Sequence, residues 1–368
     1  MPNCIFHIPY NVDPNWPSGS NIRPIKMINA FKENGYNVEV IMGYGKEREK
    51  KIKEIKNNIK NGVKYDFLYS ESSTEPTLLT EKNHLPLYPF LDFGFLKYCK
   101  NHNIKIGLFY RDIHWRFSQY KKNVNIFKRL VAYIFYFYDL LKYKGLIDIL
   151  YLPSKKMYEY IPIKLNCRVE ELPPAFEVFT NTHSKSQESK KKELINIFYV
   201  GGVNPQLYNL EKMFSVINRE NKYKLIVCCR ENEWKSCSKR YEKYINDKIE
   251  IIHKKDKELD EYFNEADVVS LFLEPQEYWK FAIPVKLFTY ISYGKPIICC
   301  KNTAVGEFVN DNSIGWVIDY SEDSLSLLLK QLFNNKEKIY IKNSNISKII
   351  DNHNWKARGR KVINNLTS

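Results

Sequence analysis

Two fully apolar runs in the second half of the chain, joined by a loop and a helical pattern, constrain its fold most strongly. Residues 267–273 (DVVSLFL) and 297–300 (IICC) have the composition of strands buried on both faces of a parallel sheet. Between them, residues 284–293 carry apolar side chains at helical spacing, and Gly294 ends that helix. These elements form one βαβ unit. Its loop at residues 274–281 follows the first strand, where open α/β sheets bind ligands.

The same alternation of strands and helices fills the rest of the chain. Residues 4–172 and residues 195–318 each contain six short apolar runs with helical patterns between most of them, which is typical of a doubly wound parallel sheet. We therefore predict an N-terminal domain at 1–180, a polar linker at 181–193, a C-terminal domain at 194–345 and a terminal helix at 346–368.

Composition restricts the compartment and the kinds of partner. The eight cysteines lack metal-binding spacing, and four of them lie inside apolar strand patterns, which indicates a reducing compartment and no metal site. No signal peptide and no membrane-spanning run is recognisable, so we expect a cytoplasmic protein. The net charge is +15, of which residues 1–180 carry +9. This charge favours anionic partners, although the Lys-, Asn- and Ile-rich composition of an AT-rich genome explains about half of it.

In the second domain, candidate binding residues follow the strands. Gly201 and Gly202 would let backbone amides approach a diphosphate, and Arg230 after the next strand can bind phosphate bidentately. Pro284 suits a first helical turn, whose free amides attract anions together with Lys286. The alternative is an ordinary loop and a solvated lysine.

In the first domain, polar residues follow two strands. Gly19 precedes a helix whose amides, together with Arg23, favour an anion. Arg111, Asp112 and His114 come directly after the fourth strand, where polar groups are costly unless they are used or paired. Either these groups serve a reaction, or Arg111 and Asp112 form a structural pair that braces the loop.

Four segments resemble the retaining GT-B glycosyltransferases of family 4, also called group 1. PVKLFTYISYGKPII is similar to the nucleotide-sugar helix of that family. The other three are SGSNIRPIKMINAFKENGYNVEVI, INIFYVGGV and NHNWKARGRKVINNL. Two departures stand out. Phe281 and Thr289 occupy the places of the two glutamates that the family has eight positions apart, and Glu277 is out of register. Val203, Asn204 and Pro205 replace the usual Arg and Lys pair, which transfers the phosphate role to Arg230 and Lys286.

The resemblance implies two Rossmann-like α/β domains that face a central cleft and transfer a sugar with retention, without a metal or other cofactor. The co-substrate would be a nucleotide diphosphate sugar, and the acceptor a glycan or a lipid-linked saccharide in bacterial surface polysaccharide biosynthesis. Asp112 is the candidate base or positioning group on the acceptor side, with His114 next. The substrate-binding candidates are Ser18, Gly19, Ser20, Arg23, Arg111, Gly201, Gly202, Arg230, Glu277, Tyr278, Pro284, Val285, Lys286 and Thr289.

Several alternatives stay open at this point. Another GT-B enzyme, such as a nucleotide-sugar epimerase, and a degenerate glycan-binding module both fit the pattern. The aromatic and basic helix predicted at residues 124–143 either makes peripheral contact with an anionic membrane, on the inner face of the cell membrane, or is mostly buried. Thr289 in place of a ribose-binding glutamate favours a donor without a 2′-hydroxyl, such as a dTDP-sugar, unless Glu277 supplies the contact. Nucleic acid is excluded as a partner because the aromatic residues do not interleave with arginine.

Overall fold

The computed structural model describes residues 1–13, 19–117, 120–121, 124–176 and 194–368. The chain divides into two compact units, the first formed by Met1–Pro174 with Trp355–Ser368 and the second by Ala175–Asn354. The predicted linker at residues 181–193 and the candidate Ser18 lie outside the described residues. None of the helices in the described part of the chain combines the length and the apolar character needed to cross a membrane.

The first unit contains a six-stranded parallel sheet in the order β2-β1-β3-β4-β5-β6. Its strands are β1 (Asn3–His7), β2 (Asn37–Ile41), β3 (Phe67–Glu71), β4 (Lys105–Phe109), β5 (Ile149–Leu152) and β6 (Arg168–Glu171). The helices that lie between or beside these strands in sequence are α1 (Gly19–Glu33), α2 (Gly45–Lys60), α3 (Leu91–Asn101), α4 (Ile126–Tyr143) and α5 (Met157–Tyr160). Aromatic side chains fill the core where α1 covers the sheet. The rings of Phe31 and Tyr69, for example, meet edge to face with their centres 5.4 Å apart.

The second unit contains another six-stranded parallel sheet, in the order β12-β11-β10-β7-β8-β9. Its strands are β7 (Ile195–Val200), β8 (Tyr223–Cys228), β9 (Ile249–Ile252), β10 (Val268–Leu271), β11 (Ile297–Cys300) and β12 (Gly315–Ile318). Its helices are α6 (Glu211–Arg219), α7 (Glu231–Tyr241), α8 (Asp260–Glu265), α9 (Val285–Ser292), α10 (Ala304–Asp311), α11 (Glu322–Asn334) and α12 (Glu337–Ile349). The predicted pair of doubly wound parallel sheets is thus confirmed.

The end of the chain differs from the prediction. The expected single helix at residues 346–368 is wrong, because α12 ends at Ile349 and a separate helix, α13 (Trp355–Thr367), begins after a 3₁₀ turn. Asn354 pairs instead with Phe176 in a parallel bridge, and this extended backbone cannot continue a helix. Helix α13 packs on α1 in the first unit, where Gly359 lies so close to Ala30 that a Cβ atom would be 3.0 Å from that side chain.

Strand order determines where each unit can bind a ligand. The order reverses beside β1 in the first sheet and beside β7 in the second. In parallel α/β sheets, a crevice opens outside the carboxyl ends of the strands at such a reversal. The loops that follow β1, β3 and β4, and those that follow β7, β8 and β10, are therefore the places to look for a site.

Candidate functional site

A lysine held against a glycine is the centre of the site in the second unit. Gly201 follows β7 with a φ of +150°, and its N–H donates to the Cys228 carbonyl at 2.9 Å. A Cβ atom at Gly201 would lie 2.6 Å from Nζ of Lys286. This close approach requires glycine, since any larger residue would push the lysine away. The structure therefore brings together two residues that the sequence placed 85 positions apart.

Two tyrosines that the sequence did not single out hold the Lys286 side chain. Its Nζ donates to the Tyr199 hydroxyl at 3.1 Å and lies 4.5 Å from the centre of that ring and 4.8 Å from the ring of Tyr208. Burial lowers the pKa of Lys286 to about 7, while the Glu233 carboxylate opposes the shift. No carboxylate in the described part of the chain lies within ion-pair distance of Lys286, and Glu233 acts on it through its charge from farther away.

The N-terminus of α9 presents its first amides beside this lysine. Pro284 is the N-cap and its side chain forms no capping hydrogen bond, and Val285 is exposed. The buried Tyr290 fixes the helix to the sheet, because its hydroxyl accepts from the Val200 N–H at 2.9 Å. Tyr290 is a positioning residue that the sequence analysis did not identify, because it is part of the apolar pattern of α9. It could have been identified only from the rule that a buried tyrosine hydroxyl needs a hydrogen-bond partner.

A carboxylate occupies the turn that follows the two glycines. One oxygen of Glu233 accepts from the N–H groups of Val203 and Asn204, at 2.9 and 3.0 Å. The Gly202 carbonyl accepts from the Tyr199 hydroxyl at 2.5 Å. Glu233 therefore already uses the amides of Val203 and Asn204. The predicted approach of the Gly201 and Gly202 amides to a diphosphate stays a prediction, and so does an anion-binding role for Lys286 and the start of α9.

The other predicted donor-side residues lie at the same edge of the sheet without contacting Lys286. Arg230 is exposed at the N-cap of α7. Its charge acts on Tyr208: burial raises the pKa of that tyrosine, and Arg230 opposes the shift. Glu277 is exposed on a 3₁₀ turn, and Tyr278 is half-buried against Phe281 at a ring separation of 5.3 Å. Gln276 of the same loop donates to the Gln206 carbonyl at 2.7 Å. Thr289 is half-buried in α9, three residues after Lys286.

In the first unit, the two predicted substrate-binding arginines share one buried carboxylate. Glu71, at the end of β3, is fully buried. Its oxygens lie 3.2 Å from Nε of Arg23 and 2.8 Å from Nη2 of Arg111, and the Tyr69 hydroxyl donates to it at 3.1 Å. The partner of Arg111 is thus Glu71, which the sequence analysis did not single out. A lone carboxylate at the end of an apolar run was the signal that could have identified it.

Arg111 uses its remaining donors to hold neighbouring loops. It donates to the Gly19 carbonyl at 3.1 Å, to the Tyr10 hydroxyl at 3.0 Å and to the Ser72 carbonyl at 3.3 Å. The Tyr10 hydroxyl in turn donates to the Ser20 carbonyl at 2.9 Å. This network fixes the start of α1 and leaves Arg111 fewer donors for a substrate. We call Glu71, Arg23 and Arg111 the arginine cluster.

Asp112 and His114 lie next to each other at the carboxyl end of β4. Oδ2 of Asp112 is 3.9 Å from Nδ1 of His114, and Oδ1 accepts from the Ile113 N–H at 2.6 Å. Burial lowers the pKa of His114, and the Asp112 charge opposes this shift. The imidazole lies 5.3 Å from the Tyr120 ring. A neutral imidazole in this setting can accept a proton from a hydroxyl.

The next feature is the set of side chains that could bind a metal ion, including the cysteines. The described residues include no group of three or more His, Cys, Asp or Glu side chains that could hold a metal ion. All eight cysteines are free thiols, and burial raises the pKa of those in the strands. For Cys300, burial raises the pKa to about 12.

Comparisons with known proteins agree on the fold. Residues 180–353 match the family model described as "Glycosyl transferases group 1". No curated protein is similar enough in sequence to count as a relative of this chain. The structure of a sucrose-phosphate synthase from Thermosynechococcus elongatus superimposes with a TM-score of 0.63 at 11% identity, over 98% of this chain and 97% of that one.

Two further solved structures extend this result. Anabaena HepE in complex with UDP has a TM-score of 0.66 at 11% identity over 100% of both chains. WaaG, a glycosyltransferase involved in lipopolysaccharide biosynthesis, has a TM-score of 0.57 at 13% identity over 99% of this chain and 100% of that one. Residues 180–353 are therefore similar to the group 1 glycosyl transferases, and the whole chain has the GT-B fold.

Proposed function

We propose that this protein transfers a sugar from a nucleotide diphosphate sugar, bound by the second unit, to an acceptor bound by the first. The observation that carries the proposal is the Lys286 ammonium, which is held against Gly201 by two tyrosines and has no carboxylate partner among the described residues. HepE, which has the same fold, was solved with UDP and also with UDP-glucose. The family match of residues 180–353 supports the same class of reaction.

The proposed chemistry uses charge stabilisation on the donor side. When the bond between the sugar and the diphosphate breaks, negative charge grows on the leaving phosphate. In this proposal Lys286 and the first amides of α9 stabilise that charge, and Arg230, which follows β8, adds a second cation. Such groups accelerate the reaction to the extent that they bind the leaving group more tightly than the intact donor. Retention at the anomeric carbon is part of the proposal and is drawn from the family resemblance.

On the acceptor side, the proposed base is the Asp112 and His114 pair. Because burial lowers the pKa of His114, its imidazole is neutral near pH 7 and can take a proton from an acceptor hydroxyl. Asp112, 3.9 Å away, would stabilise the imidazolium that forms. Gly19 and Ser20, whose carbonyls are fixed by Arg111 and Tyr10, would shape the acceptor pocket.

Thr289 bears on which nucleotide is used. It is half-buried on α9, at the position where the family has a glutamate for the ribose hydroxyls. We propose a donor that lacks the 2′-hydroxyl, such as a dTDP-sugar. The exposed Glu277 could restore the ribose contact, in which case a UDP-sugar would bind as well.

The proposed acceptor is a glycan or a lipid-linked saccharide in bacterial surface polysaccharide biosynthesis, and the proposed location is the inner face of the cell membrane. WaaG, with its stated part in lipopolysaccharide biosynthesis, supports this acceptor class. The net charge of +15 also suits an anionic setting. No metal or other cofactor is proposed.

A degenerate binding module is the second candidate. It is favoured by the two arginines of the first unit, which are both engaged by the buried Glu71, and by the buried Phe281 at the place of a family glutamate. In that case the chain would bind a glycan without turning over a donor.

A panel of nucleotides tests the proposal. Thermal unfolding would be followed with UDP, GDP, dTDP and CMP and with the matching nucleotide sugars. A ligand at 100 times its dissociation constant should add about 2.7 kcal/mol to the free energy of unfolding. A shift with one nucleotide diphosphate supports the transferase. No shift with any nucleotide would contradict the proposal and favour the binding module. Release of a free epimer from the selected donor without an acceptor would indicate an epimerase.

A further inference from the structure

Helix α4 of the first unit turns apolar side chains toward solvent, the reverse of an ordinary surface helix. Seven large apolar residues of this helix are between 38% and 77% exposed. We call them the outer face: Ile126, Phe127, Leu130, Val131, Ile134, Phe137 and Leu141. At about 100° per residue, they fall within an arc of about 140°. The inward side is buried and consists largely of aromatic and aliphatic residues, such as Tyr136 and Leu140.

Packing on the inner side holds this helix in place. The Tyr136 ring stacks on Trp115 at 4.7 Å, and the Tyr136 hydroxyl donates to the Thr74 carbonyl at 2.7 Å. Asp139 accepts from the Thr77 N–H at 2.7 Å. Since these contacts anchor the inner side of α4 within the unit, the outer face remains exposed to whatever lies outside it. A contiguous exposed apolar surface of this kind usually marks a binding surface.

Charge identifies the occupant. Lys128 and Lys142 are exposed along one border of the outer face, and Arg129 lies on the other side. The helix has a single acidic residue, Asp139, and that residue is buried. An apolar face bordered by exposed cations and lacking exposed acids is complementary to an anionic lipid surface, where lysine side chains reach head groups while apolar ones enter the acyl boundary.

We propose that the outer face of α4 binds the surface of an anionic lipid bilayer, with the helix axis lying in the plane of the membrane. A helix of 18 residues would place about 27 Å of its length along that surface. The outer face is the surface that would hold the protein at the proposed membrane location. Lipid binding by this face does not depend on sugar transfer, since it needs neither donor nor acceptor.

A second exposed apolar group lies next to α4 and fits the same occupant. Phe93 of α3 packs on Tyr138 of α4, with ring centres 5.6 Å apart. Phe90, three residues before Phe93, is 80% exposed, and Leu85 and Leu87 of the preceding loop are more than half exposed. Exposed apolar residues thus also occur at the start of α3, one helical turn from the residue that packs on α4.

Vesicle binding by the purified full chain tests this inference. Partition would be measured by co-sedimentation with vesicles of phosphatidylcholine, with and without phosphatidylglycerol. We expect binding to the anionic vesicles. The double variant Leu130→Gln, Ile134→Gln should lower the partition coefficient about tenfold or more, since it removes two inserting side chains. Lys128→Gln with Lys142→Gln should cost about fivefold per charge, and only on anionic vesicles.

A matched control separates the outer face from exposed apolar residues in general. Leu327 and Ile341 of the second unit are 60% and 54% exposed, so Leu327→Gln with Ile341→Gln should leave vesicle binding unchanged. Equal vesicle binding by the wild type and the α4 variant would overturn the inference. So would a solution dimer that the α4 variant abolishes, because a second copy would then cover the face. Nucleotide-induced stabilisation, measured on the same samples, reports the donor site independently of lipid binding.

Discussion

Two groups of cations follow strands in this molecule, and the structure treats them in opposite ways. In the first unit, Arg23 and Arg111 share the buried Glu71, whose single negative charge offsets one of their two positive charges. In the second unit, Lys286 is held over two tyrosine rings without a carboxylate partner in the described residues. Both groups looked like anion sites in the sequence. Cations at strand ends therefore indicate a ligand only when the fold does not bring them a counter-ion.

The largest expected effect comes from removing the counter-ion of the arginine cluster. Glu71→Ala leaves the buried Arg23 and the partly buried Arg111 without their shared carboxylate, and loss of one member of a buried ion pair costs about 3 to 5 kcal/mol. Urea unfolding would measure this loss. Glu75→Ala is the control, because Glu75 is exposed and forms an exposed pair with His84, so its loss should cost under about 1 kcal/mol. Equal losses would show that the arginines do not need Glu71.

An intermediate effect is expected from pH on the lysine side. With a pKa of about 7, Lys286 is charged at pH 6 and mostly neutral at pH 8, and an anionic diphosphate would raise that pKa on binding. Affinity for the selected nucleotide sugar should therefore fall as pH rises from 6 to 8, by up to about tenfold per pH unit above the pKa. Calorimetry in buffers of different ionisation enthalpy should show proton uptake on binding. A pH-independent affinity without proton uptake would contradict this assignment.

The smallest expected effect concerns His114. The Asp112 charge partly offsets the lowering of the His114 pKa by burial, so Asp112→Asn should lower that pKa further. The change should be small, since the two groups are half-buried and Oδ2 of Asp112 is 3.9 Å from Nδ1 of His114. NMR titration of the imidazole would measure it. An increase in the pKa would show that Asp112 does not act on His114 through its charge.

The sequence predicted the parts of the fold that depend on local pattern. Apolar runs identified the strands of both sheets, and glycine and proline marked the ends of α9. The break between α12 and α13 was missed because it depends on the bridge between Asn354 and Phe176, which lie far apart in sequence. Local helical spacing continues through that break and gives no sign of it.

The site was predictable only in part, for a similar reason. Gly201 and Lys286 were identified because each follows or begins an element where ligands bind. Glu71, Glu233 and Tyr290 were missed, since their roles come from partners on other strands and helices. The sequence left open whether α4 contacts a membrane or is mostly buried, because apolar residues occur on both sides of the helix. Only the packing of Tyr136 and Asp139 shows which side is inside.

The central claim is that the fold keeps the Lys286 cation free for the diphosphate of a nucleotide donor. Its most direct test is the dissociation constant of the selected nucleotide diphosphate, measured by calorimetry for the wild type, Lys286→Met and Lys280→Met. Lys280 is an exposed lysine on the nearby loop and serves as the matched control. We expect Lys286→Met to weaken binding about 10- to 100-fold and Lys280→Met to leave it nearly unchanged. Unchanged affinity in Lys286→Met would contradict the claim.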